Sequence, residues 1–266
     1  MERIILLETS TALCSAALAE NGCVSAYRES SAPKAHASLT AVFVQEILEE
    51  RGLKLADCDA VCVSKGPGSY TGLRVGVSTA KGLCFGSGKP LLAVGTLDTL
   101  VAQAREIPGQ AGNDRTAGND GTAGNDGTAG NDGTAGNDGT AGNDGTVRDL
   151  KYVIPMIDAR RMEVYSAIFT PDGNQLTQTT PVIVDENSYS EYLEQGPCLF
   201  IGDGAGKCAD VIKHPNARFH QCNPKASAML VPAVEAYKKK QFEDVAYFEP
   251  FYLKEFVATV SKKKLF

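Results

Sequence analysis

Short apolar runs separated by turn residues open the chain, and they predict a series of β-strands. Asn21-Gly22, between two such runs, is typical of a two-residue hairpin turn. Beyond it, apolar runs alternate with segments of helical period. The predicted strands cover 4–7, 15–19, 24–28, 60–64 and 90–94, and the predicted helices cover about 36–51, 70–85 and 96–104.

The same order of elements recurs after residue 150. Strand hairpins followed by strand–helix alternation, twice over, predict a two-lobed α/β protein with lobes at 1–104 and 150–266. In the second lobe the predicted strands cover 152–157, 163–169, 181–184 and 198–201, with helices near 189–193 and over about 225–240 and a closing segment at 247–253.

A low-complexity insert at 105–149 separates the two lobes. From Ala111 to Thr146 one hexad occurs six times, as AGNDRT once and then AGNDGT five times. The hexads contain no large apolar residue, and their Asn, Asp and Gly favour turns, so we predict that the insert is disordered. A calcium-binding solenoid is the alternative, but its repeats would lack an apolar residue to fill the stack.

The composition of the chain mainly excludes certain classes of function. The chain has 266 residues, 43% of them hydrophobic, which suffices for a sizeable core. Its net charge of −6 comes almost entirely from the six hexads, since the chain outside them holds 26 acidic and 25 basic residues. A near-neutral body gives no argument for a large nucleic-acid or membrane surface. The first apolar run is too short for the core of a signal peptide. The eight cysteines are expected to be reduced thiols, so we expect a cytoplasmic location.

The motif GPGSYTG at 66–72 is the most distinctive local feature. A glycine-rich turn before a helix could bind an anion through its backbone N–H groups. The alternative is close packing, because Gly72, Gly76 and Ala80 lie on one helical stripe that a neighbouring helix could approach. The sequence leaves both interpretations open. The helix at 36–51 also carries more apolar positions than one buried face requires, namely Leu39, Phe43, Ile47, Ala41, Val44 and Leu48.

Candidate polar sites are sparse. Asp158, at the end of a predicted strand, could hold a ribose or a metal–phosphate group, with surface ion pairing as the alternative. The turn at 202–204 could line a nucleotide base. The three histidines and the spacing Cys208, His214, His220, Cys222 fit no standard zinc pattern, and no Ser/His/Asp nucleophile signature is present.

Taken together, six motifs resemble the TsaB family, the bacterial relatives of TsaD that take part in making N6-threonylcarbamoyladenosine beside the tRNA anticodon. The motifs are ILLETST, KAHASLT, SKGPGSYTGLRVGVSTAKGL, IDARRMEVY, GDGA and FEPFYLK, and they span the chain outside the hexads. The resemblance implies two RNase-H-like lobes of the actin/Hsp70/sugar-kinase type.

The resemblance also implies a non-catalytic role. Such a subunit would pair with a TsaD-like catalytic paralogue, with a TsaE-like ATPase completing the assembly, and would meet tRNA only through the complex. Without the paralogue it would form a homodimer. Two departures weaken any autonomous nucleotide or metal chemistry: Thr40 stands where a helical partner of His36 would be, and Glu8 stands where an Asp is usual.

The resemblance further implies two sets of site residues, and no catalytic residue or metal ligand. A four-helix interface with the paralogue would use Leu39, Phe43, Ile47, Gly72, Gly76 and Ala80. A vestigial nucleotide site would use Thr9, Ser10, Gly68, Ser69, Asp158, Gly202, Asp203 and Gly204. No cofactor is expected beyond ATP or ADP at the complex interface. The alternatives are an autonomous ATPase or kinase of the same fold, a stand-alone homodimeric scaffold, and a metallopeptidase.

Overall fold

The computed structural model describes residues 2–107 and 149–253. The hexad repeats lie outside the described residues, so the predicted disorder of the insert stays a prediction. Within the described ranges, no helix combines the length and apolar character needed to cross a bilayer.

The first sheet is a five-stranded mixed sheet built around the buried N-terminal strand. Its strands are β1 (Arg3–Glu8), β2 (Cys14–Glu20), β3 (Cys23–Ser30), β4 (Ala60–Ser64) and β5 (Leu91–Val94). Their spatial order is β3-β2-β1-β4-β5, with β1 antiparallel to β2 and parallel to β4. The helices that follow these strands are α1 (Ala35–Glu50), α2 (Tyr70–Ser87) and α3 (Thr96–Ala104).

The second sheet repeats this arrangement. Its strands are β6 (Tyr152–Asp158), β7 (Glu163–Ser166), β8 (Thr180–Ile183), β9 (Cys198–Gly202) and β10 (Ala217–Gln221). The order is β10-β9-β6-β7-β8, with β6 antiparallel to β7 and parallel to β9. Read from β8, this is the strand order of the first sheet. The prediction of two RNase-H-like lobes is therefore confirmed.

Two helices cross between the lobes. The second lobe contains α4 (Ser190–Leu193), α5 (Ala205–Ala209) and α6 (Leu230–Lys238), and a 3-10 turn (Ala226–Met229) precedes α6. Helix α6 and this turn pack on the first sheet, against residues such as Ile4 and Leu92. Helix α3 packs on the second sheet, against residues such as Val153 and Leu199. Each sheet thus buries one face against a helix that follows the other sheet in sequence.

Three local features differ from the sequence prediction. Strand β10 and helix α5 were not predicted, and the helix expected over 225–240 is divided into the 3-10 turn and α6. Helix α5 has only five residues, which is too short for a helical period to stand out.

Candidate functional site

The loop between β1 and β2 is held by a buried carboxylate. Glu8 is fully buried, and its Oε1 accepts a hydrogen bond of 2.7 Å from the backbone N–H of Ser10. Burial raises the pKa of the Glu8 carboxyl above its ordinary value, and hydrogen bonds from Ser10 partly oppose this effect. The loop therefore already contains an acidic group, supplied by the chain itself, where a bound ligand would otherwise lie.

The GPGS turn packs directly on this loop. The backbone N–H of Ser69 donates to the carbonyl oxygen of Ser10 at 2.6 Å, and a Cβ at Gly68 would overlap Ser10. The Ser69 hydroxyl accepts from the N–H of Gly72 at 3.3 Å and so caps α2. The structure thus brings Thr9, Ser10, Gly68 and Ser69 together. Some backbone N–H groups of the turn already form hydrogen bonds within the chain.

The small-residue stripe of α2 faces the same loop. The Thr9 hydroxyl donates to the carbonyl oxygen of Gly72 at 2.9 Å, and a Cβ at Gly72 or at Gly76 would overlap Thr9. A glycine in a helix interior costs about 1 kcal/mol relative to alanine, and this close approach explains both glycines. The expected neighbour was a helix. The observed neighbour is the β1–β2 loop.

The other residues of the predicted interface also lie in the interior. Phe43, Ile47 and Ala80 are buried in the core between α1, α2 and the first sheet, and the partly buried Leu39 packs against it. In the isolated chain these side chains stabilise the fold. Contact with a partner protein through them stays a prediction, and the outer surface of the two helices is formed by other residues.

The outer surface of α1 and α2 carries apolar side chains at some positions and glycines at others. Val42 on α1 is 40% exposed, and Phe85 near the end of α2 is 87% exposed. No described atom would lie within 4 Å of a Cβ at Gly82 or Gly86 on α2. This surface was not predicted from the sequence, although the four-residue spacing of Ser78, Gly82 and Gly86 is a signal that indicates it.

The candidate residues of the second lobe also come together. The backbone N–H of Asp158 donates to Oδ1 of Asp203 at 2.9 Å, and the N–H of Gly204 donates to the carbonyl oxygen of Met156 at 3.0 Å. Gly202 has a φ of 134°, and a Cβ there would overlap Met156, so this turn requires glycine. Burial raises the pKa of Asp203 to about 6.

A lysine occupies the polar end of this cluster. Lys207 donates from Nζ to Oδ1 of Asp158 at 3.0 Å, and to the carbonyl oxygens of Arg161 and Glu163 at 2.8 and 2.7 Å. The Asp158 carboxylate therefore has an internal cation as its partner. This arrangement can neutralise the strand end without a bound metal ion.

The position of the missing helical histidine is filled by a hydroxyl. The ring Nε2 of His36 lies 2.8 Å from the carbonyl oxygen of Thr11. Thr40 is buried, donates to the carbonyl oxygen of His36, and lies 3.3 Å from the Cys14 sulfur. Across residues 2–107 and 149–253, no three His, Cys, Asp or Glu side chains are grouped so that they could hold a metal ion.

Two lobes with the same strand order and with helices exchanged between their sheets define the class: this is an α/β protein of the actin/Hsp70/sugar-kinase type.

The chain is 28% identical over 263 residues to the tRNA threonylcarbamoyladenosine biosynthesis protein TsaB of Escherichia coli K12, covering 96% of both chains. It is 25% identical to the protein of the same name from Bacillus subtilis 168, covering 94% of this chain and 93% of that one.

Two further comparisons agree. A crystal structure from Pseudomonas aeruginosa, described as an uncharacterized protein with similarity to peptidase YEAZ, matches with a TM-score of 0.73 at 22% identity, covering 96% of this chain and 100% of that one. The family model described as TsaD, tRNA N6-adenosine threonylcarbamoyltransferase, matches residues 29–113. The resemblance to the TsaB family is therefore confirmed: the chain is similar to TsaB proteins over nearly its whole length.

Proposed function

We propose that this chain is a non-catalytic subunit of the machinery that makes tRNA N6-threonylcarbamoyladenosine, and that it binds and supports a TsaD-like catalytic paralogue. The names of the full-length relatives from Escherichia coli and Bacillus subtilis support the pathway. The match of the TsaD model to residues 29–113 supports the pairing, because this range contains α1 and α2. A paralogue of the same fold can present an equivalent pair of helices.

The observation that carries the proposal is the outer helix face, the exposed surface of α1 and α2. It consists of Ala37, Ala41, Val42, Ser78, Gly82, Phe85 and Gly86. Gly82 lies in the interior of α2 and Gly86 in its last turn, and a glycine inside a helix costs about 1 kcal/mol relative to alanine. No contact within the described part of the chain accounts for them. Close approach of helices from a partner does, and the exposed ring of Phe85 supplies an apolar anchor.

Side chains of the protein itself occupy the two loops of the candidate nucleotide site, and this supports a non-catalytic role. The Glu8 carboxylate fills the first hairpin loop, and Lys207 neutralises Asp158 in the second lobe. ATP or ADP would then bind at the interface with the paralogue. A TsaE-like ATPase and tRNA would join through the complex, and a second copy of this chain would cover the outer helix face when the paralogue is absent.

The test is a binding titration between this chain and the TsaD-like protein of the same cells. Val42→Arg places a long charged side chain on the outer helix face, and we expect a loss of affinity of about tenfold or more. Val231→Arg is the matched control, because Val231 is a similarly exposed valine on α6 (49%), away from that face. Equal affinity of the two variants and the unmodified chain would overturn the proposed interface.

A further inference from the structure

A cleft of about 530 Å³ lies in the second lobe, beside β7, β8 and α4. Its volume is within the range of small-molecule sites. We call it the hydroxyl cleft, because six of its lining residues carry hydroxyl groups. These are Ser166, Thr177, Thr180, Tyr189, Ser190 and Tyr192.

Two of these hydroxyls are buried without a hydrogen-bond partner. The Ser166 Oγ and the Tyr189 OH lie close enough to interact with each other, but neither has a partner of good hydrogen-bond geometry among the described residues, and Ser166 as a whole is only 2% exposed. Burial raises the pKa of Tyr189 to about 12, against a smaller lowering by the Ser166 hydroxyl. Buried polar groups in folded proteins are nearly always hydrogen-bonded, so this pair of hydroxyls calls for a partner.

Tyr189 is also held in a strained backbone conformation. Its φ of 65° lies in the left-handed region, which side chains of this size rarely adopt. The ring packs edge-on against the buried Phe200, with 5.4 Å between ring centroids. This packing keeps the ring and its hydroxyl at the cleft despite the strain. Such strain is concentrated at functional sites.

The charge of the cleft restricts what it could bind. None of its described lining residues is Lys, Arg or His, and its one charged side chain is the carboxylate of Glu191. Gln178 and Asn187 add neutral amide donors and acceptors. A phosphate or carboxylate would find no cation there, whereas a neutral ligand with several hydroxyls would find both donors and acceptors.

We propose that the hydroxyl cleft is a binding site for an uncharged, polyhydroxylated ligand of monosaccharide to nucleoside size. Ser166 and Tyr189 would bind its hydroxyls at the base of the cleft, and the Tyr192 ring would flank it. The site lies on the second lobe, whereas the outer helix face lies on the first. The proposal is therefore independent of the subunit role argued above.

The test uses ligand-observed NMR on the full chain with ribose, adenosine and AMP as probes. We expect ribose and adenosine to bind and AMP to bind at least about tenfold more weakly, because its phosphate meets Glu191 and no cation. Tighter binding of adenosine than of ribose would identify a nucleoside site, and equal binding a sugar site; both support the proposal. Failure of both neutral probes to bind, or equal binding of AMP and adenosine, would overturn it.

Three variants separate recognition from folding. Ser166→Ala and Tyr189→Phe each remove a hydroxyl that makes no well-formed hydrogen bond in the fold, so the melting temperature should change little, while binding of the neutral probe weakens about tenfold. Tyr237→Phe on α6 makes the same chemical change outside the cleft and should leave binding unchanged. Thr180→Trp, at an exposed lining position, should block the cleft in a folded protein. Unchanged binding in Thr180→Trp would contradict the site.

Discussion

Ser15 on β2 accepts a hydrogen bond of 3.0 Å from the backbone N–H of Ala226, a residue 211 positions later in the chain. Both groups are buried, and the bond fixes the segment before α6 to the first sheet. Ser15→Ala leaves this N–H without its acceptor, and we expect a loss of about 1–3 kcal/mol in the free energy of unfolding. Denaturant titration measures the loss.

Ser38→Ala is the control for that change, because the Ser38 hydroxyl bonds only to its own helix at the surface. We expect an effect within about 0.5 kcal/mol there. Equal stability of the two variants would show that the bond between Ser15 and Ala226 contributes little to the fold.

Two glycines of α2 should respond in opposite ways to the same substitution. Gly76→Ala forces a methyl group into Thr9, so we expect a lower melting temperature than that of the unmodified chain. Gly82→Ala meets no described atom, so the isolated chain should gain up to about 1 kcal/mol in helix stability. Thermal unfolding of both variants checks the pair. A Gly76→Ala variant as stable as Gly82→Ala would contradict the packing on Thr9.

The Glu8 carboxylate should be replaceable by a neutral amide. Glu8→Gln keeps an acceptor for the Ser10 N–H and cannot ionise at a position where burial disfavours the charged carboxylate, so at pH 8 we expect a stability equal to or above that of the unmodified chain. Glu8→Ala removes the acceptor and should cost about 1–3 kcal/mol. Chemical denaturation of both variants at pH 8 gives the comparison, and a Gln variant as unstable as the Ala variant would show that the charge itself is required.

Asp203 should give the stability of the protein a dependence on pH. Its pKa is raised from 3.8 to about 6 in the folded chain, so the folded state binds a proton more tightly than the unfolded state. Stability therefore falls as pH rises from about 4 to 6. Asp203→Asn removes this contribution, and its stability relative to the unmodified chain should increase over the same range. A difference that stays constant with pH would argue against the raised pKa.

Deletion of residues 111–146 should leave the folded lobes unchanged. The six hexads contain no large apolar residue that could contribute to a core. We expect the same melting temperature and the same affinity for the TsaD-like protein in the shortened chain. A clear loss of solubility or of affinity would give the insert a role that its composition does not suggest.

Elements with a strong local pattern could be predicted from the sequence. Strand β4 (Ala60–Ser64) and helix α3 (Thr96–Ala104) have the predicted bounds, because an apolar run in one and a helical period in the other are bracketed by polar or glycine residues. Strand β10 was missed because its sequence, ARFHQ, includes two residues with charged or titratable side chains, which an edge strand can leave partly exposed.

At the candidate site, the sequence predicts a close contact but not the group that makes it. The spacing of Gly72 and Gly76 indicates that something approaches this face of α2, and a loop of the same chain requires small residues there just as a partner helix would. Only the fold distinguishes the two, since Thr9 is more than 60 positions away in the sequence. The sequence could thus indicate a close contact and could not identify the group that makes it.

The exchange of helices between the two sheets has a consequence for synthesis on the ribosome. The first sheet is complete once residue 94 has been made, yet one of its faces is covered only by residues 226–238. Until those residues emerge, Ile4, Leu6 and Leu92 lack the side chains that bury them. The N-terminal half therefore cannot reach its final state during translation ahead of the C-terminal half, and the nascent chain exposes an apolar surface that a chaperone would recognise.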